Sequence, residues 1–525
     1  MKPPQYISPW IHQLDRKRPL MTVNSDLSSE VAVLGAGIAG SMTAYFLLKK
    51  TKKKILLIDG GRVAHGATGH NAGQLVSYFE RPFFDIVHEY GLKMASAGQK
   101  DVESAWDLLA QIIKKEKLET ACYLFTGYAG CVDLEELIHH LENNHLRHQA
   151  GLSTEVIWVS RSFSDRMRIP THYRSYYKIV TADRILRALQ TRDHAYVAAI
   201  QGKKGCMNSA ALCEELVSKM LRRFPDRFQL VENFPIHTLQ LSADQAVLYG
   251  TSFTVSAERV VLCTNGFERL TIKNQMGMEI DRKFHHLVRG SVGYMAAFLE
   301  TAPFPPTAIS YFPPSTSTGH GAYDTEPYYY LTRRPHDIFQ GKQRNLICIG
   351  GPESLMDDTN RYHHAHPYPK EARLSISRFL RRVYPYLKSR WSYTYFWHGL
   401  MGYTPNGLRC VGFEPCNPVL LYNLGCNGVG ILPSIMGGNR IARLLRGDKL
   451  VPSIFDPQDQ RCERSSRVQP SSWWSRIFHT NNRFAKIMHA SSWVALVSSA
   501  VLAMIVLTPI NTARSFIQTL EEHFY

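Results

Sequence analysis

No two cysteines in this chain are spaced as CxxC, and its ten cysteines are scattered. The closest, Cys206 with Cys213 and Cys410 with Cys416, fit neither zinc nor iron–sulfur spacing, so no metal site is expected. Residues 1–18 lack the apolar core of a secretory signal. Both absences point to reduced thiols in a cytoplasmic compartment. No repeat of roughly 20 to 50 residues recurs, which argues against a solenoid or propeller. Acidic residues are also scarce, 44 against 61 Lys and Arg, giving a net charge of +17. Such a field attracts anionic surfaces. The basic pairs Arg333-Arg334 and Arg381-Arg382 come without a recognised nucleic-acid module. An acidic lipid leaflet is therefore the favoured surface, and no nucleic acid is expected as a partner.

The 525 residues are 44% hydrophobic and 20% charged, enough for two or three globular domains. The most informative stretch is residues 31–59. Residues 31–34 are apolar and suit a buried parallel strand. Gly35 allows a sharp turn, Gly37 a close approach to a pyrophosphate, and Gly40 close packing of helix on strand. Ile38 and Ala39 open the helix, whose N–H groups and positive dipole end face the phosphates. A lysine-rich turn leads to Ile55–Ile58, and Asp59 stands 19 residues after Gly40, where a carboxylate accepts ribose hydroxyls. The acid favours an unphosphorylated ribose, hence FAD or NAD over NADP. The next loop, through Thr68, Gly69, His70, Asn71, Ala72, Gly73 and Gln74, is small and glycine-rich, as when backbone packs close to a flat ligand. Near the other end, residues 420–430 form an apolar strand that breaks into Gly425, Asn427, Gly428, Val429 and Gly430 before a helix over 433–446. Two helix N-termini so far apart in the chain suggest one large cofactor held at both ends.

The loop at 66–74 resembles the "GASGRNAGQ" loop of the D-amino-acid-oxidase-like (DAO) FAD oxidoreductases. The resemblance continues through the lead-in at Ser8-Pro9-Trp10 and Arg18-Pro19-Leu20 and the helix over 210–224. It then runs through residues 229–233 with Ile236, the strand ending in Thr264 and Asn265, and the turn at Arg289. It closes with Trp397-His398-Gly399, Thr404-Pro405-Asn406 and the glycine turn at 425–430. Within the family it is most similar to the γ-glutamylputrescine oxidase, glycine oxidase and sarcosine oxidase group.

The resemblance implies an α/β fold. A Rossmann-like FAD-binding domain, over 27–85, 205–280 and 395–450, interleaves with a substrate domain of mixed or antiparallel sheet over 86–204 and 281–394. Residues 1–26 form the lead-in. It also implies FAD held by the residues named above, and oxidation of the C–N bond of a small amine or amino acid, with hydride transfer to flavin and hydrolysis of the imine. The electron acceptor is oxygen or a membrane quinone. His70 has the form of a branch in which histidine bonds covalently to flavin; the alternative is a hydrogen bond to noncovalent flavin or phosphate. A strand alignment puts Cys348 where sarcosine oxidases carry a lysine that assists oxygen. No catalytic triad is visible. His398 and Arg289 are the candidates for substrate contact, and Arg289 or Arg409 for holding a carboxylate. His363, His364 and His366 read as a loop at a pocket rim. Two other classes compete: a flavin-binding scaffold without turnover, and flavin-dependent modification of a nucleic-acid base.

Beyond residue 448 the chain departs from the family. A basic linker over 451–489 precedes residues 490–510, which carry no charge, and a short tail over 511–525. About 20 uncharged residues suffice for a transmembrane helix. Arg476, Arg483 and Lys486 before the run, against Arg514 with Glu521 and Glu522 after it, place the catalytic body in the cytoplasm by the positive-inside rule. The expected protein is therefore membrane-anchored by one span; the alternative is a buried or amphipathic core helix, or one that docks on a partner.

Overall fold

Residues 31–34, Ile55–Ile58, 260–262 and Leu420–Leu424 are apolar without alternation, as strands covered on both faces must be. The computed structural model describes residues 6–267, 269–277, 279–300, 304–314, 328–336, 344–356, 358–387 and 391–458. In it these runs lie side by side in a nine-stranded sheet. The parallel part has the order Phe228–Val231, Ile55–Ile58, Leu27–Leu34, Thr254–Leu262, Leu420–Leu424. The outer edge of Thr254–Leu262 is divided. Residues 254–257 pair antiparallel with Ala246–Gly250, while 260–262 pair with Leu420–Leu424.

Helix Ile38–Lys50 is buried from Ile38 through Leu48 because it is covered on all sides. Helix Ile431–Arg446 packs against it. Gly438 permits this contact, since a Cβ there would stand 2.8 Å from the Thr43 nitrogen. Helix Ser209–Arg223 is capped by Asn208, whose side chain accepts from the N–H groups of Ala210 and Ala211.

The second sheet has ten strands. Its path is Tyr395–Tyr403, Arg289–Glu300, Arg344–Leu355, Tyr329–His336, Thr307–Tyr311, Cys122–Cys131, Ala198–Met207, Val156–Ser160 and Tyr177–Val180, with Gln74–Leu75 added beside Ala198–Met207. Pairing is antiparallel except between Thr307–Tyr311 and Cys122–Cys131, and between Val156–Ser160 and Tyr177–Val180. Helix Lys370–Val383 covers it with Ile376, Phe379 and Leu380.

Three strands of the second sheet lie wholly or partly in segments that the sequence reading gave to the FAD-binding domain, Gln74–Leu75 being one. Residues 205–207 end a second-sheet strand, and Tyr395–Tyr403 pairs with Arg289–Glu300 rather than with the nucleotide-binding sheet. Tyr395 and Trp397 are core side chains at this junction, and the chain first turns toward the other sheet at Thr404. The nine described cysteines are free thiols. No helix among the described residues is long and apolar enough to cross a membrane. The charge-free run at 490–510 lies outside the described residues, as do the rest of the linker beyond 458 and the tail.

Candidate active site

The two sheets enclose a cavity of about 1340 Å³. At one end is the strand–turn–helix unit of residues 27–50. Gly35 has φ +97°, and a Cβ on Gly40 would stand 1.7 Å from the Gly35 carbonyl oxygen, so neither position admits a side chain. The helix has no side-chain cap of its own at Gly37; instead Thr68 Oγ1 accepts from the Ile38 N–H at 2.9 Å. Asp59 closes the second strand. Its carboxylate accepts from the N–H groups of Ala36 (2.6 Å) and Gly61 (2.8 Å). Burial pushes it up to about 6 against those two donors.

The loop at 66–74 is held from outside the cavity by the lead-in. Trp10 Nε1 donates to the Asn71 carbonyl at 2.5 Å, and the Ser8 hydroxyl donates to the Gly69 carbonyl. Asn71 donates to Thr68 O (2.9 Å) and Ser209 Oγ (2.8 Å), and accepts from the Gly73 N–H (2.8 Å). Arg18 bridges Glu232 and Glu214, and Arg16 joins Glu214 to the Val63 carbonyl. Glu232 in turn accepts the Val63 N–H at 2.9 Å. This ion-paired clamp, absent from the sequence expectations, fixes where the loop enters the cavity.

Of the residues expected to hold a dinucleotide, all but four line the cavity; Gly40, Gly69, Gly425 and Asn427 brace it from behind. Asn427 Oδ1, for example, accepts from the Thr404 N–H at 2.8 Å. Ile236, Thr264 and Asn265 line one side, and Gly428, Val429 and Gly430 stand at the N-terminus of the closing helix. The cradle thus suits a dinucleotide: side chains are excluded where backbone must approach it, and helix ends face it.

The other end of the cavity holds charged groups that the sequence did not single out. Glu80, Glu353 and Lys204 face it, among Tyr78, Tyr328, Tyr330 and Tyr403. Burial pushes Glu80 up to about 7, helped by the charge of Glu353 and opposed by Lys204. Burial likewise raises Glu353 to about 7, although it accepts from Tyr403 OH (3.2 Å) and Ser291 Oγ (3.3 Å). Lys204 is lowered by burial to about 8 and donates to Tyr128 O and Ser310 Oγ.

Neither catalytic candidate lines the cavity. Arg289 is exposed at the start of its strand. His398 is buried with both ring nitrogens engaged, Nδ1 with Tyr362 OH (3.1 Å) and Nε2 with His366 O (3.0 Å). Arg409 reaches the cavity but is tied to Asn423 Oδ1 (2.6 Å) and Asn423 O (2.9 Å), which makes it a brace of the closing strand. Cys348 is fully buried in the core, and Gly351 and Glu353 are what the strand presents to the cavity. His364 sits at the rim, its ring 4.4 Å from that of His65 and 6.0 Å from that of His70. No group of three or more His, Cys, Asp or Glu among the described residues has the arrangement to hold a metal ion.

Known proteins resemble this chain in sequence and in fold. Among curated proteins, the chain is 26% identical over 101 residues to the gamma-glutamylputrescine oxidoreductase of Escherichia coli, covering 19% of this chain and 24% of that protein. It is 30% identical over 106 residues to the probable oxidoreductase OrdL of Haemophilus influenzae, covering 19% and 23%. The matched stretches thus span about a quarter of those relatives' lengths. Two solved structures share the fold over most of both chains. Glycine oxidase from Bacillus cereus has TM-score 0.57 and 15% identity, covering 80% of this chain and 96% of that one. L-proline dehydrogenase from P. horikoshii has TM-score 0.59 and 14% identity, covering 83% and 98%. The profile of the family described as FAD dependent oxidoreductase (DAO) matches residues 30–444, which takes in the cradle, the second sheet and the closing glycine turn. The chain therefore belongs to this family of oxidoreductases, and its cofactor is FAD.

Proposed function

We propose that this enzyme oxidises the C–N bond of a small amine or amino acid to an imine, which water then hydrolyses to a carbonyl compound. The observation that carries the reading is the continuity of the cavity: the residues of the dinucleotide cradle and a set of carboxylates and tyrosines line one and the same cavity. Bound FAD supplies the hydride acceptor for the carbon beside nitrogen. The chain does the positioning. Gly35, Gly37 and the N-terminus of Ile38–Lys50 hold the phosphate end, Asp59 the ribose, and the clamped loop at 66–74 the flavin end. The second sheet closes over the chamber and keeps bulk water from the reacting carbon. Oxygen or a membrane quinone takes the electrons onward.

His70 contacts the cofactor noncovalently in this proposal. Its Nδ1 is 2.9 Å from the Gly66 carbonyl, so that nitrogen carries the proton, and burial lowers the ring to about 4 and keeps it neutral. Acid precipitation then leaves the yellow colour in the supernatant; a yellow pellet would overturn this. The charge-free run at 490–510 anchors the enzyme, with its catalytic body on the cytoplasmic side.

The test is anaerobic mixing of the purified, detergent-solubilised protein with amines and amino acids while flavin absorbance is followed. Bleaching by one class supports the proposal, and admitting air and then a quinone identifies the acceptor. A yellow protein that no amine or amino acid bleaches would refute turnover of this kind.

A further inference from the structure

The chamber beyond the cradle is short of positive charge where its two carboxylates stand. Among the described residues Glu80 accepts no hydrogen bond, and its side chain lies against the closing turn: a Cβ on Gly428 would stand 2.8 Å from Glu80 Cγ. Glu353, from the second sheet, is met among the described residues only by the hydroxyls of Tyr403 and Ser291. The charge of Lys204 acts on Glu80, and it acts on Glu155 as well. An anion kept out of bulk water without a partner is costly unless a ligand supplies the missing charge. The tyrosine faces of the chamber attract cations too.

The arginines around the cavity are engaged by groups of the protein itself. Arg81 is paired with Glu89 (2.6 Å) and Arg147 with Glu103 (2.7 Å). Arg269 donates to the Tyr362 carbonyl (2.6 Å), and Arg409 is bound by Asn423.

We propose that Glu80 and Glu353 form a cation subsite, and that the substrate is an amine that enters as its ammonium ion and bears no carboxylate on the carbon to be oxidised. One of the two carboxylates then takes a proton: an N–H bond of the ammonium breaks, an O–H bond forms, and the nitrogen keeps its electron pair. The proposal rests on the amine-oxidation reading above but can fail separately from it.

The test titrates the flavin-loaded full chain with tetramethylammonium, a cation that resembles the substrate head group, and with acetate, while the flavin absorption band is recorded. Tetramethylammonium is expected to perturb the band saturably and acetate to leave it unchanged. E80Q and E353Q should each weaken tetramethylammonium binding by about tenfold or more. Because the two glutamates come from different segments, a variant that loses flavin leaves the other to decide. Binding of acetate in preference to the cation, or variants that bind the cation as the wild type does, would overturn the subsite. Anaerobic reduction by matched pairs, such as butylamine and norvaline, separates the two readings. Cation binding that the variants weaken, with no amine reducing the flavin, sinks amine oxidation and spares the subsite. Reduction by the amino acid of each pair alone sinks the subsite and spares the oxidation.

Discussion

Glu353 carries an energetic signature that a packing residue would not. Its carboxyl is raised from the ordinary 4.5 to about 7, chiefly by burial. Below pH 4.5 it is protonated folded and unfolded alike and costs nothing. As pH rises through 7 the folded protein must ionise it beside Glu80, and stability is lost. E353Q removes that ionisation and keeps an oxygen that accepts from Tyr403 and Ser291. The variant should therefore unfold at a higher temperature than wild type at pH 8, by the equivalent of ~2 kcal/mol after allowing for solvent in the cavity, and show little difference at pH 5. Thermal unfolding followed by circular dichroism at the two pH values checks this. Equal or lower stability of E353Q at pH 8 would mean that the carboxylate is well satisfied in the free enzyme. A gain in stability on neutralising a cavity residue is the mark of a group kept for binding rather than folding.

Among the elements, the strand–turn–helix unit tolerates the least change. An alanine at Gly40 would place its Cβ 1.7 Å from the Gly35 carbonyl, and backbone, not a movable side chain, would have to give. G40A should cost ~3 kcal/mol and purify with little or no flavin, measured as the flavin absorption band per protein. A yellow G40A of normal stability would show that helix and turn can separate without loss. This unit was legible in the sequence because its signals are local: a glycine spacing, an apolar run and an acid at a fixed distance. The chamber was not. Glu80 and Glu353 are lone acids in separate segments, and only the folding of the second sheet over the closing turn brings them into one cavity. The register of that sheet also explains Cys348. It turns into the core, whereas Glu353, five residues on and past an irregularity between Gly293 and Met295, faces the cavity. The clamp of Arg16 and Arg18 on Glu214 and Glu232 was illegible for the same reason, since each charge alone reads as surface.

At the scale of the whole molecule, the described chain ends in a latch rather than a loose strand. The Val411 N–H donates to the Phe455 carbonyl at 2.7 Å, Arg440 pairs with Asp456 at 2.5 Å, and Ile454 and Phe455 are core residues. Gln458 donates to Tyr90 OH at 3.0 Å. Among the described residues, this latch closes the chain against the body that carries both sheets, the cradle and the chamber. As the proposed anchor, the uncharged run at 490–510 and the basic residues before it act on where the enzyme sits rather than on how it folds. A chain ended after Gln458 should stay in solution without detergent and keep the flavin content and thermal stability of the full chain. The full chain should sediment with membranes and resist a carbonate wash, because removing a spanning helix from lipid, unlike removing a basic patch, is insensitive to salt and alkali. Release of the full chain by salt alone would reduce the tail to an electrostatic contact of the +17 molecule with acidic lipid. Loss of flavin from the shortened chain would instead assign the tail a part in the fold.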